Sequence, residues 1–253
     1  RMIRGVEAMD RMHTTECARH AAEAYGKFQK RLADLDIREL SETIPRYHDT
    51  PYRMKQLLNA IRADVCGRAS RCRQQIMFVL ERSDKLGRIV EGLKDGSIPK
   101  RVTHNDTKCS NVLMEADSRQ AVCVIDLDTV MPGSALYDFG DAIRSGASTS
   151  GEENPSQGAE LNLEMFRAYT QGYLSQMADD LNEKEKELLV YSVWLMTMEC
   201  GIRYLTDYLS GDVYFTHGDH EESNLEKAIS QFCLVLDIEE KKVQMEAIVK
   251  ELC

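Results

Sequence analysis

Within nine residues, Thr103-His104-Asn105-Asp106-Thr107-Lys108-Cys109-Ser110-Asn111 supplies a candidate acid or base, a cation and an amide oxygen donor. The apolar run Ala121-Val122-Cys123-Val124-Ile125 then ends at a second carboxylate, Asp126. Transfer of a γ-phosphoryl group from ATP to a hydroxyl uses this set of groups. The reaction spreads negative charge over oxygens that already carry it, so a protein mainly positions and neutralises. Asp106 is the candidate to align the acceptor hydroxyl and take its proton. Lys108, two residues on, can face the transferring phosphate from an extended loop. Mg²⁺ takes hard oxygen ligands in octahedral geometry, often one or two carboxylates with phosphates and water. The amide of Asn111 and the carboxylate of Asp126 suit it.

The spacing His104-x-Asp106-x-x-x-x-Asn111 mirrors the kinase catalytic-loop pattern H-R-D-L-x-x-x-N, with Asn105 in place of arginine. Val112-Leu113-Met114 and Val122 to Ile125 read as two strands around the polar turn Glu115 to Arg119, a hairpin that returns Asp126 to Asn111. Asp138-Phe139-Gly140 spells the protein-kinase metal motif but lies 32 residues after Asp106, where Asp126 lies 20 after it. Met131-Pro132-Gly133-Ser134 before it reads as a turn. The metal role therefore goes to Asp126.

The three segments His104 to Asn111, Ile125-Asp126-Leu127-Asp128 and Tyr137-Asp138-Phe139-Gly140-Asp141 together resemble the aminoglycoside phosphotransferase and choline kinase superfamily. The stretches Asp126 to Gly133 and Gly201 to Phe215 resemble the bacterial N-acetylhexosamine 1-kinases, and the likeness runs from near residue 1 to about residue 240. The resemblance implies ATP- and Mg²⁺-dependent phosphorylation of the anomeric hydroxyl of N-acetylglucosamine or N-acetylgalactosamine. It carries the base role onto Asp106 and the metal roles onto Asn111 and Asp126. It gives Asp138 the task of accepting the loop's backbone N–H groups, and it matches Arg203 and Tyr214 to sugar contacts.

The chain departs from that pattern in its first hundred residues, which hold no G-x-G pair and no glycine loop followed by a strand lysine. The expected fold is therefore mainly α with a small β-hairpin: residues 1–253 as the C-terminal lobe of a protein-kinase-like fold, its N-lobe absent. The chain opens on Arg1, which suits a piece of a longer protein. Residues 1–253 alone are expected to show negligible sugar kinase activity, the missing lobe being needed to complete the site.

Other residues carry two readings each. His104 is expected to hold backbone rather than titrate. Asp128 is a second metal ligand, a sugar-hydroxyl contact or a solvated carboxylate. Leu113 and Ile125 flank the metal ligands and would floor the adenine pocket, fill the hairpin core, or both. Arg203 sits among apolar residues on a helix, where an unpaired guanidinium is costly, so it needs a carboxylate or a ligand. Tyr214 follows a turn and either stacks on a sugar or packs. Asp141 and Arg144 read as a helix (i, i+3) pair. The runner-up substrates are an aminoglycoside, choline or homoserine, and a further alternative is a lobe that binds nucleotide or sugar without transfer.

Composition sets the outer bounds. At 253 residues, 43% hydrophobic, the chain can bury a full core. A net charge of −10 argues against nucleic acid or an anionic membrane as partner. No apolar run reaches the ~20 residues of a membrane span. The eight cysteines form no C-x-x-C and read as reduced, mostly buried thiols, with Cys109 a packed loop thiol. The expected location is cytoplasmic. The histidines at 13, 20, 48, 217 and 220 show no zinc spacing.

Helices are expected at 15–34, capped by Thr14 or Thr15, and at 52–66, 69–95, about 136–144, 159–178, 183–209 and 222–250. Asn182 and Glu185 supply a capping-box-like start to the 183–209 helix. Gly146 to Gly158 reads as a polar rim loop.

Overall fold

The computed structural model describes residues 3, 5–9, 11–150, 158–215 and 220–253. Most of the expected 146–158 loop, and His217, lie outside the described residues.

Eight α-helices and five short strands follow one another in the described residues. They are β1 (Val6–Ala8), α1 (Thr15–Arg31), α2 (Thr50–Ala63), α3 (Arg73–Leu80), α4 (Arg88–Asp95), β2 (Arg101–Thr103), β3 (Val112–Glu115), β4 (Ala121–Val124), β5 (Met131–Gly133), α5 (Ala135–Gly146), α6 (Leu163–Met177), α7 (Glu183–Ser210) and α8 (Ser223–Leu252). The chain is mainly helical, as its periodicity implies. No described helix is long and apolar enough to cross a membrane.

Local chemistry sets the helix starts. Thr14 Oγ1 accepts from Cys17 N at 3.2 Å and caps α1. Asp49 caps α2 with Pro51 in its first turn. Asn182 and Glu185 form a reciprocal capping box on α7. Helix α1 packs on α6, and α7 packs on α5, α2 and α8. Two glycines set the closeness of these crossings. A Cβ at Gly172 would lie 2.4 Å from the Arg19 carbonyl oxygen of α1, and one at Gly140 would lie 2.4 Å from the Ser192 carbonyl oxygen of α7.

Strands β3 and β4 form the expected antiparallel hairpin, with Val112 opposite Val124 and a register shift at Leu113/Met114. Four features depart from the sequence reading. The single helix expected over 69–95 is broken into α3, a 3₁₀ turn at Ser83–Lys85, and α4. Ser83 Oγ bonds the Leu80 carbonyl at 2.8 Å, so its hydroxyl competes for a backbone group at the end of α3. Strand β1, not expected, pairs with β3. Met131–Gly133, expected as a turn, is a strand paired with β2. Each of these strands has three residues, too few to show a period. The cysteines are less buried than expected: Cys17, Cys72 and Cys109 are buried, Cys66 and Cys253 are exposed, and the rest are intermediate.

Candidate active site

The segment from β2 to β3 contains little regular structure, so its backbone N–H groups need partners from elsewhere. Helix α5 supplies them. The buried Asp138 carboxylate accepts from His104 N at 3.0 Å and Asn105 N at 2.7 Å. One turn on, Asp141 accepts from Thr107 N at 3.0 Å. Thr107 Oγ1 donates to the Asp138 carbonyl at 2.6 Å. Asp141 also pairs with Arg144 at 2.6 Å. Burial pushes the Asp141 carboxyl up, but the adjoining guanidinium outweighs it and holds the group below its ordinary range.

Behind Asp138, Gln29 of α1 donates to it at 2.6 Å, and Tyr173 of α6 orients Gln29 with a 2.7 Å bond. No sequence signal marked Gln29; it is one polar residue on an amphipathic helix.

The loop's histidine is fully buried. His104 Nδ1 accepts from Asp106 N at 3.3 Å, so Nε2 carries the proton and donates to the Ile125 carbonyl at 2.9 Å. The imidazole thus ties the loop to the strand that leads into Asp126. Asn105 sits at φ 63° and Asp126 at φ 61°. A non-glycine residue in the left-handed region costs free energy and must be held by its surroundings. At Asn105 the side-chain amide does this by donating to the Thr103 and Thr129 carbonyls at 3.1 and 3.0 Å.

Asp106, Lys108 and Asn111 converge. Lys108 Nζ lies 3.1 Å from Asp106 Oδ1, and Asn111 Nδ2 donates to Asp106 Oδ2 at 3.0 Å. Tyr25 of α1 fixes the backbone between them by donating to the Lys108 carbonyl at 2.8 Å. The hairpin brings the second half in: Ile125 N donates to the Asn111 carbonyl at 2.9 Å. Asp126 and Asp128 are exposed at its end. The Asp126 carboxyl is held above its ordinary range by a hydrogen bond with Asp128, by partial burial, and by the charges of Asp128 and Asp106.

Among the described residues, no three His, Cys, Asp or Glu side chains cluster as a metal site. Asn111 and Asp126 would therefore hold Mg²⁺ through few protein oxygens, as that ion accepts when phosphates and water complete its shell. The charges of Asp128 and Asp106 bearing on Asp126 fit the group, since a divalent cation would relieve them. Bound there, the ion would supply positive charge opposite transferring phosphates.

A cavity of about 260 Å³ opens beside Asp106. Asp106, Lys108, Thr129, Glu199, Arg203 and Tyr214 are among its walls. Helix α7 contributes Glu199 and Arg203 one turn apart. The Arg203 guanidinium lies 5.1 Å from the Tyr47 ring, 5.8 Å from Tyr214 and 5.4 Å from Phe215. Among the described residues it has no carboxylate partner. Asp207 folds the aromatic turn over it, accepting from Val213, Tyr214 and Phe215 N–H groups at 2.8–3.1 Å. Asp207 was not singled out in the sequence, although three consecutive donors depend on it. Asn111, Asp126, Asp128, Leu113 and Ile125 do not line this cavity. Leu113 lies between Ala8 of β1 and Cys123 of β4.

The model of the Phosphotransferase enzyme family matches residues 1–179, which include the whole loop, the hairpin and α5. The chain belongs to that family. A solved structure of a microcompartment-associated aminopropanol kinase has the same fold, with a TM-score of 0.53 at 18% identity over 97% of this chain and 68% of that one. The phosphotransferase family match stops before α7. It therefore covers the 103–111 loop but not the Arg203 wall of the cavity.

Proposed function

We propose that this phosphotransferase moves the γ-phosphoryl of ATP, with Mg²⁺, onto a hydroxyl of a small acceptor, the anomeric hydroxyl of an N-acetylhexosamine being the best candidate. The observation that carries the reading is the single cavity in which Asp106, Lys108 and Arg203 meet. In the reaction, Asp106 takes the acceptor proton as the acceptor oxygen bonds the γ-phosphorus. The bond from that phosphorus to the bridging oxygen breaks, and ADP leaves. Lys108 faces the charge that develops on the transferring group.

Two features favour a neutral, sugar-sized acceptor over a polyamine. The space of about 260 Å³ beside Asp106 has room for an acceptor of sugar size. Its carboxylates are also engaged: Asp106 with Lys108 and Asn111, Asp141 with Arg144, and Glu199 with His48 and Thr50. Among the described residues of the cavity wall each of these carboxylates already has a partner, whereas Arg203 offers donors to hydroxyl or carbonyl oxygens and Tyr214 a ring to stack on. The retained base, lysine, amide and hairpin carboxylate speak against a lobe that only binds.

The nucleotide side completes the proposal. The first hundred residues form β1 and α1–α4, with no glycine loop to cover phosphates, so the chain acts as the helical catalytic lobe and a phosphate-covering lobe completes the site. Leu113 and Ile125 belong to that side, as does Asp128 beside Asp126.

The test is ATP consumption by the natural full-length polypeptide across N-acetylhexosamines, amino alcohols, choline, homoserine and aminoglycosides, with products read by ³¹P NMR. A sugar 1-phosphate is the expected product. Exclusive turnover of an amine-bearing acceptor would replace the sugar reading. In the active pairing, Asp106→Asn should lower kcat by roughly 10²–10⁴, and a loss under tenfold would remove Asp106 from the base role.

A further inference from the structure

His48 lies outside the loop and the hairpin, lines the same cavity as Asp106 and Arg203, and bonds both to the loop and to α7. It is buried, and both ring nitrogens face acceptors. Nδ1 lies 2.8 Å from Glu199 Oε1, and Nε2 lies 3.0 Å from the Asn105 carbonyl. A neutral imidazole has one donor, so only the imidazolium satisfies both partners. Glu199 is 1% exposed and takes a second bond from Thr50 Oγ1 at 2.6 Å. The Asn105 carbonyl belongs to the residue before Asp106, at the strained left-handed position. Glu199 stands one turn before Arg203 on α7.

We propose that His48 is a positioning residue for phosphoryl transfer: as a buried imidazolium it ties the backbone just before the base to the helix that carries Arg203, and so sets Asp106 against the acceptor. The inference concerns the site described above, and its kinetic half rests on the phosphotransfer reading.

The surroundings of the ring are asymmetric. From α7 it meets Glu199, with Arg203 beyond it. From α5 it meets Tyr137 at 5.1 Å between ring centres and the charge of Asp141, itself paired with Arg144. Asp106 and Lys108 of the loop line the same cavity as His48, and its own segment contributes Tyr47 at 4.4 Å, Asp49 and Arg46. Burial pushes the proton off, but the Glu199 charge and the two hydrogen bonds outweigh it and raise the His48 pKa above its ordinary value. Loss of that proton leaves either the carboxylate or the Asn105 carbonyl facing a lone pair, and the loop is released.

The experiment titrates the histidines of residues 1–253 by ¹⁵N NMR, assigning His48 with His48→Gln, and follows the backbone amides of Asn105 and Asp106. His48 should remain protonated at pH 7, and those amides should move with its titration. In Glu199→Gln its midpoint should fall by about 1–3 pH units, the usual effect of a close opposite charge. The alkaline limb of kcat/KM in the full-length enzyme should fall by the same amount, with the acid limb unmoved. A purely structural role would lower activity evenly across pH. Three results would overturn the proposal: a neutral His48 at pH 6–8, a titration that leaves the two amides still, or an alkaline limb that does not follow Glu199→Gln. If no acceptor is phosphorylated, the kinase reading fails, while the NMR titration still decides the role of His48.

Discussion

Replacing Asp138 with asparagine leaves three donors around a group that can no longer accept from all of them. In the parent, Oδ2 receives Gln29 and His104 N, and Oδ1 receives Asn105 N. The best arrangement of the amide keeps its oxygen on Gln29 and His104 and turns its NH₂ toward Asn105 N, 2.7 Å away. One hydrogen bond is lost and two buried donors meet, which costs about 1–3 kcal/mol for each unsatisfied group. The two remaining bonds lose their charge assistance, about 1 kcal/mol each. Removing a buried charge offsets part of this, since burial already pushes the Asp138 carboxyl upward.

A net loss of about 3 kcal/mol follows, which lowers Tm by about 6–12 °C in a chain of this length. The assay is thermal unfolding by circular dichroism in EDTA without nucleotide. A Tm within about 2 °C of the parent would refute the bracing role. Unchanged stability in EDTA, combined with loss of the stabilisation given by Mg²⁺ and nucleotide, would return the metal role to Asp138 and take it from Asp126.

Gly140→Ala should destabilise by about 1–3 kcal/mol, since the new Cβ meets the Ser192 carbonyl oxygen, a backbone group that cannot swing away; urea unfolding measures it, and an unchanged midpoint would mean that α5 and α7 separate freely. Asp126→Asn should leave Tm in EDTA unchanged or higher, because it removes a carboxylate on which the charges of Asp128 and Asp106 bear, and should abolish the Mg²⁺-dependent part of nucleotide stabilisation read by scanning fluorimetry. A raised His48 pKa adds stability that is complete below its ordinary 6.5 and is lost as pH rises through the folded value. A lowered Glu199 pKa adds stability present above its ordinary 4.5 and lost as pH falls through the folded value. Unfolding free energy should therefore plateau between about pH 4.5 and 6.5 from this pair, and His48→Gln should flatten the alkaline slope; an unaltered slope would show that another group titrates there.

What the sequence made legible was what lies close along the chain. The Asp106 to Asn111 spacing, the hairpin that returns Asp126, and the long helices with Thr14 and Asn182 at their starts are all set within a few residues. The strands β1, β2 and β5 exist only through partners 28 to 109 residues away, and three residues carry no period. Gln29, His48 and Asp207 are single polar residues whose importance comes from tertiary placement. Glu199 did offer a signal. It sits in the apolar run Trp194 to Ile202, where an unpaired carboxylate would be as costly as the Arg203 guanidinium, and the demand for a partner made for Arg203 applied equally to it.

Burial and bonding separate the acidic residues of this site into two kinds. Asp138, Asp141, Glu199 and Asp207 are all buried, and each accepts from two or more donors. Their hydrogen bonds hold the loop and the aromatic turn, neither of which has a ladder of its own. Asp138 and Asp141 are three residues apart on one face of α5, where they accept from the loop donors at 104, 105 and 107. Asp138 also lies in the first turn of α5, where the positive end of the helix dipole favours a carboxylate. Asp106, Asp126 and Asp128 are the other kind: half-buried or exposed, with the charges of Asp106 and Asp128 bearing on Asp126. A charge cluster of that sort is poor at holding a fold and well placed to meet a cation and a proton. Asp138, despite its motif, already accepts from three N–H groups, an arrangement that suits bracing the loop.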